Sequence, residues 1–248
     1  MRPEIVFLVT VVGIGLLSMV GYAASRGAAG GPSVHTERRG SFALGTWIRE
    51  WFYWAIRPVE IPIRAWSVPP EVFNALGILL SLGALAAYAP GRVALGGYLL
   101  LASGLADVLD GVAARSRGVV SDYGAFLDST LDRFAEAFVF VGIAVWFAEP
   151  LPVALVMTAF AGSMLVSYTR ARGEGLGIQC KVGILQRAER LLLLGLGSIL
   201  DPTVSSAVGR EPGFLLLPIV GFIAAGSMGT AIYRTFWIVA RLRERDRE

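Results

Sequence analysis

Four aspartates stand close together in this sequence: Asp107 and Asp110, three residues apart, and Asp128 and Asp132, four apart. On a helix, either spacing puts both carboxylates on one face. Only a short polar turn, 116–121, separates the two pairs, so they should face each other near one end of two adjoining helices. The surrounding residues are mostly apolar, and acids within membrane spans are expensive and usually functional. Four facing carboxylates repel strongly at low dielectric, and divalent cations remove that penalty. Magnesium held by a few carboxylates plus substrate phosphates is a common arrangement, and its two-metal version stabilises the attacking and leaving oxygens of a phosphoryl displacement. Spacing alone leaves a proton or ion relay in a transporter as the alternative. The single Cys180 and single His35 allow neither an internal disulfide nor a His/Cys metal cluster, so the metal must be a hard cation on oxygen ligands: Mg²⁺, Mn²⁺ or Ca²⁺.

The elements that carry these acids read as membrane helices. Of the 248 residues 55% are hydrophobic and 17% charged, with a mean hydropathy of +0.63. The apolar residues fall into blocks of about 20, the length that crosses a bilayer core as helix. Residues 4–24 form a first block, too long for a signal peptide and followed by more spans. A polar linker at 25–43 carries Arg26, Arg38 and Arg39, with His35 as an inert surface residue. From Thr46 to Trp66 aromatics, arginines and acids interleave around Pro58 and Pro62, which suits a helix lying in the interface. Spans are then expected at 70–89, 92–115, 122–148, 153–173, 186–201 and 214–242. The division expected is an N-terminal span with a cytoplasmic linker, 1–43, and a juxtamembrane helix with a six-span catalytic domain, 44–248.

Basic residues gather at alternate helix ends: Arg115 and Arg117, Arg170 and Arg172, Lys181, Arg187 and Arg190, then Arg241 to Arg247. These ends, and the aspartates with them, should be cytoplasmic. The formal charge of +3 reflects that bias towards anionic lipid, not nucleic acid.

Read onward from Asp107, the sequence is D-V-L-D-G-V-A-A-R, then eight residues, then G-A-F-L-D-S-T-L-D. This resembles the signature of the CDP-alcohol phosphotransferase family, D-x-x-D-G-x-x-A-R followed by G-x-x-x-D-x-x-x-D, at every defining position. The resemblance implies an all-helical membrane bundle of six spans, here preceded by a juxtamembrane helix and one additional span. It implies two Mg²⁺ ions, with Mn²⁺ as substitute, on Asp107, Asp110, Asp128 and Asp132. Asp132 would be the base that takes the proton of an acceptor hydroxyl, which attacks the β-phosphorus of a CDP-linked lipid such as CDP-diacylglycerol and releases CMP. Gly111, Ala114 and Gly124 would leave room for the nucleotide, with close helix packing as the other reading of the glycines. Arg115 would face its phosphates. Asn74, standing where the family often has Thr after an opening proline, would be a further donor contact. A homodimer in the inner membrane is implied as well.

The acceptor is addressed by the segment from Ser167 to Leu191. Arg170, Arg172, Lys181, Arg187 and Arg190 exceed what topology needs, and several could converge on a phosphate. The segment resembles that of phosphatidylinositol phosphate synthases and their archaeal-lipid counterparts, which implies inositol 1-phosphate as acceptor. Gly173 stands where Ala is more usual, and Gln186 where an acid is common. Glycerol 3-phosphate is the competing anionic acceptor; serine, choline and ethanolamine call for no basic cluster. Membrane prenyltransferases also use Asp-rich motifs and magnesium, but theirs lie far apart and lack the D-G-x-x-A-R core. An ion-coupled transporter would show acids at the bilayer midplane and an internal repeat, and no repeat is evident. Glu136, one turn after Asp132, is expected to pack or support rather than react.

Overall fold

Proline, glycine and charge punctuate the described residues into eight helices: α1 (Pro3–Ala29), α2 (Gly45–Ala65), α3 (Pro70–Tyr88), α4 (Val93–Arg117), α5 (Asp122–Phe147), α6 (Pro150–Gly175), α7 (Arg187–Ala207) and α8 (Leu216–Arg245). This computed structural model describes residues 3–29, 45–118, 121–180, 182–183 and 185–247. Lys181 and most of the 25–43 linker, His35 included, lie outside the described residues. No strand occurs among them.

Two compact units are present, Met1–Ser67 and Val68–Glu248. In the first, α1 and α2 pair through polar and aromatic contacts. Tyr22 donates to Glu50 at 3.0 Å and Trp51 to Ser18 at 3.0 Å, while the Tyr22 ring meets Trp47 and Trp54. The juxtamembrane helix α2 packs with α1 within this unit, and the two units adjoin in sequence at Ser67 and Val68. Pro58 and Pro62 do not interrupt α2.

The second unit is the six-helix bundle. Its α3, α4, α6 and α8 are each long and apolar enough to cross a membrane, by length and composition. The 26-residue α5 and 21-residue α7 are long enough as well, but they carry the charged residues of the site and of its supports. A core of Tyr88, Val139, Ile143, Val156, Leu216, Val220 and Ile223, almost wholly excluded from the surface, joins the helices. The backbones approach closely where glycine permits: a Cβ on Gly97 would sit 2.7 Å from the Gly195 carbonyl, locking α4 against α7.

Helix ends match expectation within a few residues, with one exception. α7 was expected to stop at 201, before Pro202, but runs on to Ala207. Proline removes one helical donor and normally ends or kinks the helix. Here Asp201 is fixed from outside by α8 and from one turn on by Ser205, so the segment following Pro202 is held helical by tertiary contacts.

Candidate active site

The turn between α4 and α5 sets up the acidic cluster. α4 ends on Gly118 in the left-handed conformation (φ 66°), where glycine alone is unstrained, and α5 opens with the Ser121 hydroxyl accepting from the Gly124 amide at 3.1 Å. The chain thus reverses within a few residues, and the two aspartate pairs meet.

Oxygens of Asp107, Asp110 and Asp128 lie within 4.8 Å of one another. Asp110 is 6% exposed. Bonds of about 2.1 Å put neighbouring oxygens roughly 3 to 4 Å apart around one magnesium ion, so a small closure of these side chains would complete a site. The donors are all carboxylate oxygen, and no ion pair reaches Asp110 or Asp128 among the described residues. The set fits a hard divalent cation. Asp132 stands outside this group of three, held instead by a guanidinium.

That guanidinium belongs to Arg187, at the first turn of α7. Its Nη1 donates to Asp107 Oδ2 at 2.9 Å and its Nη2 lies 2.7 Å from Asp132 Oδ1, so one side chain bridges α4 and α5. One helical turn along each of α5 and α7, a second ion pair repeats the first. Arg190 donates to Glu136 Oε1 through Nε and Nη2, at 3.2 and 3.1 Å, and through Nη1 to the Leu185 carbonyl at 3.1 Å. Ser163 of α6 donates to the same Glu136 oxygen. Arg190 is 3% exposed, so this inner pair is the buried one.

The other expected residues separate clearly. Asn74 lines a cleft together with Asp107, Asp110, Asp132 and Arg187. A second cleft, which shares Ser103, Ala135 and Arg187 with the first, is lined also by Ser81, Glu136 and Arg190. Gly111 and Gly124 are not packing glycines: a Cβ on Gly111 would meet only the flexible end of Arg115, at 3.1 Å, and one on Gly124 only the Ser121 hydroxyl, at 3.4 Å. Ala114 is half-buried beside them and Arg115 exposed. Arg170 and Arg172 are exposed at the end of α6, with Arg170 paired to Glu174 at 2.9 Å. The four described basic residues do not form one open pocket: Arg187 lies among the aspartates, and Arg190 is buried with donors on all three of its nitrogens engaged by the chain.

Two departures from the family pattern have local causes. Gln186 caps α7, its side chain taking the Glu189 backbone donor while the Glu189 carboxylate accepts from the Gln186 amide at 2.8 Å. At Gly173 a Cβ would come within 2.8 Å of Ile238, so the close contact of α6 with α8 leaves no room for alanine without a shift.

Sequence reasoning did not single out Arg234. Buried in α8, it donates to the Val166 carbonyl at 2.8 Å and the Val182 carbonyl at 2.6 Å, tying the α6–α7 connection to the bundle. A charge inside the otherwise apolar α8 was the available signal. Arg133 was also passed over; it lies 3.9 Å from Asp132, and its Nη1 is buried without a hydrogen-bond partner.

The family model for CDP-alcohol phosphatidyltransferase matches residues 68–209, which contain every one of these carboxylates. The chain belongs to that family. As a CDP-alcohol phosphatidyltransferase it is 37% identical to archaetidylinositol phosphate synthase of Methanothermobacter thermautotrophicus over 177 residues, 71% of this chain and 86% of the relative. It is 33% identical to phosphatidylinositol phosphate synthase of Streptomyces avermitilis over 231 residues, 90% of this chain and 91% of that one. Crystal structures of Mycobacterium tuberculosis phosphatidylinositol phosphate synthase share the fold. The form with CDP-DAG bound is 28% identical with a TM-score of 0.64, covering 73% of this chain and 92% of that one. The complex with manganese and citrate is 29% identical with a TM-score of 0.65, covering 73% and 87%. The membrane bundle of this transferase, its carboxylate cluster for a divalent cation and its family chemistry are thus consistent with one another.

Proposed function

We propose that this enzyme moves the phosphatidyl group, or a related lipid phosphoryl group, from a CDP-linked lipid to inositol 1-phosphate and releases CMP. The observation that carries the reading is the junction of two kinds of group in one cleft. Three carboxylates suited to a cation stand beside Asp132, and a guanidinium suited to an anionic acceptor stands between them. The names and bound ligands of the relatives supply the substrates.

In this reading Asp107, Asp110, Asp128 and Asp132 would hold two Mg²⁺ ions, with Mn²⁺ as substitute. Bound there, the ions screen the approach of two anionic substrates and stabilise charge on the phosphoryl oxygens. Asp132 accepts the proton of the acceptor hydroxyl, whose oxygen bonds to the β-phosphorus as the bond from that phosphorus to the CMP oxygen breaks. The negative charge leaves on CMP, and no covalent enzyme intermediate forms. Gly111, Gly124 and Ala114 keep space open for the nucleotide, Asn74 and Arg115 contact the donor phosphates, and Arg170, Arg172, Lys181 and Arg187 receive the acceptor phosphate. Arg190 acts from below, by holding Glu136.

The reading extends to the whole chain. It is a multi-pass protein of the inner membrane with the site facing the cytoplasm, the span and linker of 1–43 precede a catalytic domain of 44–248, and two copies pair as a homodimer. The test is CMP release from CDP-diacylglycerol by purified protein with Mg²⁺, with inositol 1-phosphate, glycerol 3-phosphate, free inositol and serine as acceptors. Release that depends on inositol 1-phosphate is expected. Preference for glycerol 3-phosphate would overturn the acceptor and keep the reaction. Folded protein that releases no CMP with any of them, or with other CDP-lipids, would overturn the reaction too.

A further inference from the structure

Arg187 occupies the position where two functions collide. It neutralises Asp107, one of the three carboxylates grouped for a cation, and with its other nitrogen it holds Asp132. It is the only side chain ion-paired to that group of three among the described residues. We propose that Arg187 is an exchangeable counter-ion: cation binding displaces it from Asp107, and the freed guanidinium is delivered to the acceptor's phosphate. The inference rests on the carboxylate cluster being the cation site, and it adds that occupancy of that site and of the acceptor site are coupled through one residue.

Three observations support the exchange. The first is charge: a dication beside Asp107 makes a second positive charge there redundant and repulsive, while a phosphate monoester is a better partner for a two-pronged donor. The second is contrast with the neighbouring pair. Arg190 is 3% exposed with its donors split between Glu136 and the Leu185 carbonyl, whereas the Arg187 side chain is 23% exposed and bonded only to carboxylates at the cleft. The outer pair can open while the inner one keeps α5 and α7 in register. The third is space. Arg187 lines both clefts, the one that holds Asp107, Asp110 and Asp132 and the one that holds Ser81, Glu136 and Arg190, so its side chain borders a second, polar recess besides the aspartates.

Coupling of this kind is reciprocal: if the cation improves acceptor binding, the acceptor improves cation binding by the same factor. The experiment is Mn²⁺ titration followed by electron paramagnetic resonance, on the purified full chain in detergent, with and without inositol 1-phosphate and corrected by a protein-free control. Wild type should bind Mn²⁺ more tightly when inositol 1-phosphate is present. Arg187→Gln should bind Mn²⁺ about tenfold more tightly than wild type in the absence of acceptor, the effect of removing a unit charge a few ångströms from a dication in a well-screened site, and should lose the enhancement by inositol 1-phosphate. Arg187→Lys, which keeps charge but not the two-pronged bridge, should fall between. An Arg187→Gln protein whose Mn²⁺ affinity is no higher than wild type, or which retains the full enhancement, overturns the exchange. Wild type that binds no Mn²⁺, or binds it unchanged after Asp128→Asn, overturns instead the cation site on which the inference rests.

Discussion

The bundle treats the acids at two of its sites in opposite ways. Asp201, in the last turns of α7, is 0% exposed and accepts from the amides of Gly213 at 2.6 Å, Leu215 at 2.9 Å and Leu216 at 3.0 Å, and from the Ser205 hydroxyl at 3.3 Å. Those amides are the orphan donors at the start of α8, so the carboxylate and the positive end of the helix satisfy each other. At the other end of α7, about 20 Å away at the rise of a helix, Arg187 meets the Asp107, Asp110 and Asp128 cluster of α4 and α5, which has far more acceptors than the chain has donors. A buried acid with a complete donor set is architecture; a cluster short of positive charge is a place for something the chain does not provide. The same contrast separates the glycines, since a Cβ on Gly97 would meet a facing backbone and one on Gly111 only the flexible end of Arg115.

Five substitutions sharpen that contrast, and reversed outcomes would break it. The largest effect is expected from Asp132→Asn, which should lower kcat about a thousandfold, in the range of a lost general base, while leaving thermal stability and CDP-lipid binding near wild type; wild-type turnover removes Asp132 as base. Asp201→Ala should do the reverse, lowering stability by roughly 3 kcal/mol because several buried donors lose a charged acceptor, with the KM of the surviving folded enzyme unchanged. That pair is read by thermal unfolding in detergent alongside steady-state kinetics. Next, Gly97→Ala should destabilise by about 2 kcal/mol through overpacking of α4 on α7, whereas Gly111→Ala should leave the melting temperature alone and raise KM for the CDP-lipid; equal melting losses would mean that both are packing positions. The smallest effect is expected from Glu136→Gln. It retains the hydrogen bonds to Arg190 and Ser163 but removes the charge, and should lower kcat by about tenfold or less, comparable with loss of a supporting group around a cation site. A fall as large as that of Asp132→Asn would move Glu136 into the reacting centre.

Much of this was legible beforehand because it is written in local pattern. The aspartate spacings place the carboxylates on two helix faces, and the short turn after Arg117 requires those faces to meet. The start of α3 at Pro70 follows from proline's missing donor, while α6 already opens at Pro150, three residues before the expected 153. Glu136, expected to pack or support, is bonded to Arg190 and Ser163. Less legible were positions whose role depends on a distant partner. α7 passes Pro202 because residues 213–216 reach back to Asp201. Arg234 anchors carbonyls 52 and 68 residues away.

The basic segment marks where local reading ends. Arg170, Arg172, Lys181, Arg187 and Arg190 are equivalent as charges in a string, and counting them suggests one basic pocket. The sequence by itself determined the membrane class, the helices, the family signature and the need of four acids for positive charge, because these depend on composition, periodicity and spacing. Only the tertiary structure decided which arginine meets which acid. Arg187 reaches Asp107 across 80 residues and Arg190 reaches Glu136 across 54. Those pairings follow from the register in which α7 packs on α4 and α5, which is settled by close-packed volume at glycines such as Gly97 and by buried polar groups finding partners, not by the order of charges along the chain.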